Sequence, residues 1–249
     1  MIPGDRGCAM GRIEQLIRYA FWSGGSTGIV IGISGGIDSA VCASFCCRAV
    51  GGDRVLGLTL PSDVTLEEDL NDAADLCRIL GMEHRIISIE PMLRSFTGIP
   101  GYADSPYLRG NLMARIRMTL LYYHANRENR LVCGTSNRTE YLLGYCTKFG
   151  DNAADIQPIM HLYKTEVMTI ADEIGIPEAI RKKKPTAGLW TGQTDEGEIG
   201  LSYPVIDAAL QALGRNGWES RSPEEDRVLR MVRKSEHKRL PAYHLLSVC

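Results

Sequence analysis

Short apolar runs alternate along the chain with longer segments in which apolar residues recur at helical spacing. Residues 28–33, Gly-Ile-Val-Ile-Gly-Ile, form a β-branched run that is typical of a strand buried on both faces of a parallel sheet. Further strands are predicted at residues 54–60, 84–89 and 130–133. Helices are predicted at residues 12–22, 38–50, 65–80, 106–127 and 164–174, near Asp207 and at 223–234. The sequence Thr-Leu-Glu-Glu at 65–68 predicts a capping box at the start of its helix.

Strands that alternate with helices in this way indicate an α/β fold with a doubly wound, mostly parallel sheet flanked by helices. The 249 residues allow one large domain or two small ones, and no internal repeat divides the chain. The two final helices are expected to form a C-terminal helical extension. Residues 144–158 and 181–200 lack periodicity, and loops of that length usually have a function or are disordered.

The composition excludes several classes of protein. A formal net charge of -2 argues against a protein that binds nucleic acid through its phosphates, although basic runs occur at 181–184 and 227–239. The eight cysteines include no C-x-x-C pair, and we interpret them as buried thiols in a reducing compartment. No signal peptide and no apolar stretch approaching about 18 residues is found. A cytoplasmic protein without nucleic-acid or membrane partners is therefore expected.

The strongest local signal is a glycine-rich loop between the first strand and the helix that follows it. Ligands of open α/β sheets bind at the carboxyl ends of strands, where a helix N-terminus offers free N–H groups. The alternative interpretation is a glycine-rich turn in which the acidic residue caps the helix, but the strand–loop–helix setting favours a phosphate site. The loop is neither a Walker A sequence nor G-x-G-x-x-G. It consists of Gly32, Ile33, Ser34, Gly35, Gly36, Ile37, Asp38 and Ser39.

This loop resembles the S-G-G-x-D-S loop of the ATP pyrophosphatases, which grip the β/γ pyrophosphate and cleave ATP to AMP. In that superfamily the aspartate, here Asp38, holds Mg²⁺. An acid beside phosphates makes physical sense if a cation lies between them. The same loop occurs in GMP synthetase, argininosuccinate synthetase and tRNA-modifying enzymes, so the substrate has to be inferred from other segments.

Further segments resemble, in order, the motifs of ammonia-dependent NAD synthetase. Residues 110–117 resemble G-N-x-x-A-R-x-R, residues 134–140 resemble G-T-x-x-x-x-E, and residues 147–155 resemble T-K-[FY]-G-D-G-G-A-D. Residues 162–164 match L-x-K, residues 185–196 resemble a second phosphate loop, and residues 236–239 contain the C-terminal H-K pair. Together the matches span about residues 12–239, nearly the whole chain.

The resemblance implies a role for individual residues. Thr135, Lys164 and Thr186 would join the glycine-rich loop in binding ATP, and Asp38 and Glu140 would hold Mg²⁺. The candidate contacts to deamido-NAD are Arg115, Lys148, Asp155, His237 and Lys238, with Asp151 in a supporting role. The sequence departs from the family at Asn152-Ala153, where Gly-Gly is usual. Alanine tolerates the left-handed region poorly, so this departure bears on the path of the loop and on the fit of the nicotinate end.

The implied reaction is the ATP-dependent amidation of deamido-NAD to NAD through an adenylated carboxylate, with release of AMP and pyrophosphate. The resemblance covers a single NAD synthetase domain at residues 1–249. No room is left for a glutaminase domain before Ser34, so free ammonia is the expected nitrogen source. An alternative source of ammonia is a separate subunit that delivers it to this chain. Residues 181–197, which contain Thr186, are expected to form a mobile lid over ATP.

Two alternatives of different kinds compete with this interpretation. A tRNA-thiolating or lysidine-forming ATP pyrophosphatase would need a basic RNA surface, and a nucleotide-binding regulator would not need both metal acids. The family resemblance also implies a homodimer. The helix at 106–127 supports it with an apolar set wider than one surface face requires. This set consists of Leu108, Leu112, Met113, Ile116, Leu120, Leu121 and Tyr123. Burial of the set within the monomer is the alternative.

Overall fold

The computed structural model describes residues 6–190 and 192–242. These residues form a four-stranded parallel sheet in the order β3-β2-β1-β4. The strands are β1 (Gly28–Gly32), β2 (Val55–Thr59), β3 (Glu83–Ile86) and β4 (Arg130–Cys133). The helices are α1 (Arg6–Ser23), α2 (Ile37–Val50), α3 (Glu67–Leu80), α4 (Glu90–Phe96), α5 (Pro106–Arg127), α6 (Arg138–Leu143), α7 (Lys164–Glu173), α8 (Glu178–Arg181), α9 (Asp195–Ile199), α10 (Tyr203–Arg215), α11 (Pro223–Lys234) and α12 (Glu236–Arg239). The predicted α/β class and parallel pairing are confirmed.

The strand β1 lies at the centre of the sheet, as its apolar composition requires. Its residue Val30 pairs with Leu56 of β2 on one side and with Val132 of β4 on the other. All three side chains are buried. Beyond β4, a single parallel bridge joins Cys133 to Ile156 and brings the 147–156 segment to the edge of the sheet.

Helices cover both faces of the sheet, which makes it doubly wound. One apolar cluster joins β1 to α1, α2 and α7. The opposite face packs against α4 and α5 through residues such as Leu93, Met113 and Ile116. A third cluster is built mainly by α10 and α11, and it packs onto Leu143 of α6.

Local sequence explains where the longer helices begin and end. At the start of α5, the Ser105 hydroxyl accepts a hydrogen bond from Leu108 N at 3.2 Å, and Pro106 occupies the first turn. At the end of α3, Gly81 adopts the left-handed conformation with φ 63°. These boundaries agree with the predicted helices at 106–127 and 65–80 to within two residues at each end.

Four details of the prediction were wrong. The first helix begins at Arg6 rather than at residue 12. The capping box at 65–68 does not form, because the Thr65 hydroxyl accepts from Ser62 N at 3.0 Å and so closes a turn before α3. The third strand ends at Ile86 rather than at 89, although Ile87 N still donates to Thr59 O at 2.9 Å. The short helices α4, α6, α8, α9 and α12 were not predicted, since segments of four to seven residues carry little periodicity.

The cysteines agree largely with their interpretation as buried thiols. Four of those described are buried and two are half-buried, and all six are free. Burial raises the pKa of Cys47 to about 12, so this thiol stays protonated at neutral pH. The side chain of Cys8 and the whole of Cys249 lie outside the described residues. No helix in the described ranges combines the length and the apolar character that a membrane crossing needs.

Candidate active site

The glycine-rich loop connects the carboxyl end of β1 to the N-terminus of α2. The Ser39 hydroxyl donates to Gly36 O at 2.9 Å and accepts from Ser34 N at 3.3 Å. The Ser34 hydroxyl accepts from Gly36 N at 3.2 Å. Both hydroxyls therefore hold the loop in shape. The first residue before α2 is Gly36, and Asp38 lies in the first turn of the helix, so Asp38 is not its cap.

Gly35 fixes the position of this loop against α3. Its backbone is left-handed, with φ 78°, a conformation that glycine adopts without steric cost. A Cβ atom at this position would lie 2.6 Å from Asp69 O and 2.9 Å from Asp69 Cα. The loop thus packs directly on the backbone of the first turn of α3, and the position requires glycine for two independent reasons.

Three predicted site residues meet beside this loop. The ammonium of Lys164, at the first position of α7, forms a short ion pair with Asp38 Oδ2 and lies 3.3 Å from Glu140 Oε1 of α6. The side chain of Lys164 is only 3% exposed, whereas the two carboxylates are 17% and 18% exposed. A buried cation therefore lies between two carboxylates that still reach the surface of the site.

Burial and the charge of the ion-pair partner shift the pKa values of Glu140 and Lys164 in opposite directions. Burial raises the pKa of Glu140, the Lys164 ammonium opposes this, and the nearby Asp38 charge raises the pKa further. For Lys164, burial alone would lower the pKa, but the charges of Asp38 and Glu140 raise it above its ordinary value. Lys164 is therefore charged at neutral pH, and it offers a fixed positive charge to an anionic ligand.

Asn137 organises the two carboxylates and was missed from the sequence. Its Nδ2 donates to Asp38 Oδ1 at 2.9 Å, and its Oδ1 accepts from Glu140 N at 3.0 Å. Glu140 Oε2 in turn accepts from Asn137 N at 3.3 Å, which completes a capping box on α6. The Asn-x-x-Glu spacing at 137–140 is a signal for this cap, and it could have been found.

A third carboxylate, Asp195 of α9, belongs to the same region. It is 3% exposed and accepts hydrogen bonds from Tyr203 Oη at 2.8 Å and from Tyr145 Oη at 3.2 Å. Burial raises its pKa. The ring of Tyr203 also lies 5.3 Å from Lys164 Nζ. The sequence placed Asp195 within the segment 185–196 but assigned it no role, because a single acid in a polar loop carries no pattern.

The donor set fits a magnesium ion. Asp38 and Glu140 present hard carboxylate oxygens from two different elements toward one cation, the Lys164 ammonium. Mg²⁺ is usually held by one or two carboxylates together with substrate phosphates and water rather than by a closed protein cage. The described ranges contain no group of three or more His, Cys, Asp or Glu side chains arranged to hold a metal.

Of the two threonines predicted to bind ATP, Thr135 lies between Asp38 and Glu140 in the sequence, and Thr186 follows Lys164. Thr135 follows the carboxyl end of β4 and is half-buried. Thr186 is exposed, and its hydroxyl accepts from Gly188 N at 3.1 Å. Within the described part of the chain, Thr186 is thus engaged locally and not by the acidic cluster. Nearby Lys183 forms ion pairs with Asp69 and Asp72 of α3 at 2.5 and 2.6 Å, which ties the 181–197 segment to that helix.

Most of the predicted deamido-NAD contacts form a second group. Lys148 Nζ donates to His237 O at 2.6 Å and to Leu240 O at 2.8 Å. Lys238 Nζ donates in the opposite direction, to Gly144 O at 2.7 Å and Cys146 O at 2.6 Å. The two lysines therefore join the 144–148 turn to α12, and both ammonium groups are satisfied by backbone carbonyls.

The remaining candidates border this group. Arg115 of α5 is exposed and donates to Lys148 O at 3.2 Å, and the His237 side chain is exposed. Asp155 is held at the sheet edge, where its Oδ2 accepts from Val132 N at 2.7 Å and its Oδ1 from Tyr122 Oη at 3.2 Å. The structure thus brings Arg115, Lys148, His237 and Lys238 together and anchors Asp155 separately to β4.

The departure from the family at Asn152-Ala153 causes no backbone strain. Neither residue has a positive φ, and the left-handed position of this loop is Phe149, with φ 59°. Alanine is therefore unstrained at position 153. Asp151 holds the turn that carries Lys148, because its Oδ1 accepts from Thr147 N at 2.7 Å.

Comparison with known proteins identifies the family of this chain. A sequence model of NAD synthase matches residues 9–242, nearly the whole chain. The chain belongs to the NAD synthase family. An NH(3)-dependent NAD(+) synthetase of Methanoregula boonei is 63% identical over 244 residues, covering 98% of both chains.

Two solved structures share the fold of this NAD synthase family member. An NMN synthetase from Francisella tularensis has a TM-score of 0.87 and 38% identity, covering 95% of this chain and 96% of the other. An NH3-dependent NAD synthetase from Campylobacter jejuni, in complex with nitrate, has a TM-score of 0.83 and 33% identity, covering 96% and 98%. The predicted fold of the NAD synthase family, that of the adenine nucleotide alpha hydrolases, is confirmed.

Proposed function

We propose that this protein catalyses the ATP-dependent amidation of deamido-NAD to NAD with ammonia. The observation that carries the proposal is the Asp38–Lys164–Glu140 cluster beside the glycine-rich loop, in a chain of the NAD synthase family. A buried ammonium and two carboxylates at the carboxyl end of a parallel sheet suit a triphosphate with its metal.

The proposed reaction has two steps. The nicotinate carboxylate of deamido-NAD attacks the α-phosphorus of ATP, which forms an acyl-adenylate and releases pyrophosphate. Ammonia then attacks the acyl carbon and loses a proton, and AMP leaves as the amide forms. The substrate carboxylate is itself the nucleophile, so no protein nucleophile is needed. Most of the rate should come from positioning and electrostatic stabilisation.

The residues of the cluster have distinct tasks in this proposal. The Lys164 ammonium and the free N–H groups of the glycine-rich loop stabilise charge on the leaving pyrophosphate. Asp38 and Glu140 would hold Mg²⁺, which would neutralise phosphate charge when bound. Asn137 keeps both carboxylates in place through its side chain and its backbone N–H. Thr135 and Thr186 are the further proposed contacts to ATP.

The direct test measures products. Purified protein with ATP, Mg²⁺, an ammonium salt and deamido-NAD should form AMP and NAD in equal amounts, and tRNA should not replace deamido-NAD. Lys164→Met is the matched control and should form NAD at a strongly reduced but measurable rate, because it keeps the length of the buried side chain but removes its charge. AMP formation that depends on tRNA and not on deamido-NAD would exclude this function.

A second candidate substrate is favoured by one observation. The Francisella tularensis structure, with 38% identity, is of an NMN synthetase. An enzyme of that kind would amidate the mononucleotide in place of the dinucleotide. A comparison of kcat/KM for deamido-NAD and for nicotinate mononucleotide separates the two candidates, and a higher value for the mononucleotide would reassign the substrate.

We propose that ammonia is the nitrogen donor of a single-domain enzyme in the cytoplasm. The relatives named for ammonia dependence match this chain over nearly its whole length. The rate at fixed total ammonium should rise at mildly alkaline pH, because only neutral ammonia has a free lone pair. Equal rates with glutamine, in buffer freed of ammonia, would contradict the proposal.

We propose further that two copies of the chain form a homodimer through α5. Within the monomer, Met113 and Ile116 are buried, but Leu108 is 49% and Tyr123 59% exposed. The buried members pack on the sheet and the exposed ones are available to a second copy. In this arrangement the proposed deamido-NAD contact Arg115 lies close to the interface.

Sedimentation at micromolar concentration tests the assembly. A species of about twice the 27.5 kDa chain mass is expected, and Leu108→Glu should shift it toward the monomer. The matched control Leu66→Glu introduces the same charge at a leucine of similar exposure, 54%, outside α5. A monomer that keeps full activity on dilution would contradict the dimer.

A further inference from the structure

Asp207 of α10 is a buried carboxylate outside the cluster described above. It is 2% exposed, and it accepts three hydrogen bonds. Its Oδ1 accepts from Thr139 Oγ1 at 2.5 Å, and its Oδ2 accepts from Thr165 N at 2.9 Å and Thr165 Oγ1 at 2.8 Å. Both of its oxygens are therefore engaged, each by a different helix.

The two threonines are the sequence neighbours of two proposed catalytic residues. Thr139 directly precedes Glu140 in the first turn of α6, and Thr165 directly follows Lys164 in the first turn of α7. The Thr139 hydroxyl also accepts from Lys164 N at 2.9 Å. A continuous chain of hydrogen bonds therefore joins the backbone of Lys164, the side chain of Thr139 and the Asp207 carboxylate.

The charge on Asp207 is balanced in an unusual way. Among residues 6–190 and 192–242, no basic side chain forms an ion pair with it. Burying a carboxylate without a cation is costly unless its lone pairs are satisfied. Here two hydroxyls and the N-terminus of α7, whose dipole favours an anion, provide the stabilisation. The arrangement suits a carboxylate whose task is to hold two helix ends at a fixed separation.

We infer that Asp207 is a positioning residue that sets the distance between Glu140 and Lys164. The inference rests on the proposed function, in which these two side chains act on the metal and phosphates of ATP. Asp207 reaches them only through Thr139 and Thr165. Rigid support of this kind matters because displacements of about 1 Å at a catalytic group can reduce the rate about a hundredfold.

The predicted defect of Asp207→Asn follows from hydrogen-bond chemistry. An amide has one acceptor oxygen, and its NH₂ group can only donate. If the oxygen keeps the two bonds from Thr165, the NH₂ group faces the Thr139 hydroxyl, which already accepts from Lys164 N. If the amide is flipped, the NH₂ group faces Thr165 N, which is also a donor. Either way, one of the two helix ends loses its acceptor.

A double-mutant cycle separates positioning from general stability. Asp207→Asn should lower kcat at least about tenfold and change the KM for deamido-NAD less than about threefold. In a Lys164→Met background the same substitution should lower kcat less than about threefold further, because the residue to be positioned has already lost its function. Equal losses in both backgrounds, or a kcat above half of wild type for Asp207→Asn, would overturn the inference.

Amide hydrogen exchange gives a readout that needs no catalysis. The amides of Lys164 and Thr165 should exchange at least about tenfold faster in Asp207→Asn than in wild type. Asp226→Asn is the matched control, since it removes one helix carboxylate that is 49% exposed and paired with Arg230. Unchanged exchange in Asp207→Asn would overturn the inference even if the wild type formed no NAD, an outcome that would refute only the proposed function. Thr165→Val, which removes one hydroxyl but keeps Thr165 N, gives a milder variant if Asp207→Asn folds poorly, and it should give the same pattern to a smaller degree.

Discussion

Replacing Gly35 by alanine should destabilise the protein far more than the same change at the adjacent Gly36. At Gly35 the backbone has φ 78°, and an added Cβ would lie 2.6 Å from Asp69 O. At Gly36, where φ is -97°, the added Cβ would meet the movable Ser34 hydroxyl at 3.2 Å. The two variants carry an identical chemical change one residue apart, so each is a control for the other.

The magnitude follows from two separate costs. A left-handed backbone costs a residue with a Cβ about 1–2 kcal/mol. Forcing a methyl group against a packed backbone costs about 1–3 kcal/mol more. Gly35→Ala should therefore lose about 2–5 kcal/mol of unfolding free energy, whereas Gly36→Ala should lose less than about 1 kcal/mol. The entropy that alanine removes from the unfolded chain is the same in both variants and cancels in the comparison.

Urea unfolding followed by circular dichroism measures the difference. The two variants should have equal m-values and different midpoints, because the surface exposed on unfolding is the same. ATP binding measured by calorimetry should also be lost in Gly35→Ala if the displaced loop is the phosphate site. A Gly35→Ala protein within about 0.5 kcal/mol of Gly36→Ala would show that the loop does not pack on Asp69 in solution, and would refute the reasoning.

Three further outcomes are expected. Asp38→Asn and Glu140→Gln should each lower turnover more than about tenfold with folding retained, measured as NAD formation at saturating Mg²⁺, and a near-normal rate would remove that residue from the metal site. Hydrogen bonds from Arg85 and Arg127 lower the pKa of Glu128 from 4.5 to about 2. These ion pairs therefore stabilise the fold fully above about pH 4.5, and the stabilisation is lost as the pH falls toward about 2. After allowance for solvent screening, Glu128→Gln should cost about 1–2 kcal/mol at neutral pH in urea titrations, and a cost that persists at acidic pH would contradict this. Trypsin cleavage at 181–184 should slow when an ATP analogue and deamido-NAD are both present, and unchanged cleavage would count against a lid.

The elements that could be predicted from sequence are those with a long or strict pattern. The run at 28–33 had to be a buried strand because every position is apolar or glycine, and α5 was found because its apolar positions recur over six turns. Short helices such as α6 depend on a cap and tertiary contacts, which periodicity does not report. The strand order likewise depends on long-range pairing and had to come from the structure.

The candidate site was predictable as far as its residues carry a local motif. Asp38, Glu140 and Lys164 stand in motifs and meet as expected, whereas Asp195 and Asp207 lie in ordinary polar positions of their segments. Their importance arises from burial, which only the folded chain reveals. Lys148 and Lys238 were predicted as ligand contacts, and the structure adds that both ammonium groups already bind backbone carbonyls.

The central position of β1 has a consequence for the order of folding. Val30 pairs with Leu56 and with Val132, partners that lie 26 and 102 positions further along the chain. Closing the longer loop costs about 1 kcal/mol more in chain entropy, so the β1–β2 pair should form before β4 docks. Asp38 follows β1 and therefore lies in the part of the chain that folds early. Glu140 follows β4 and lies in the part that folds late. A partly folded chain therefore carries half of the acidic pair, and ATP with its metal should stabilise only the last step of assembly.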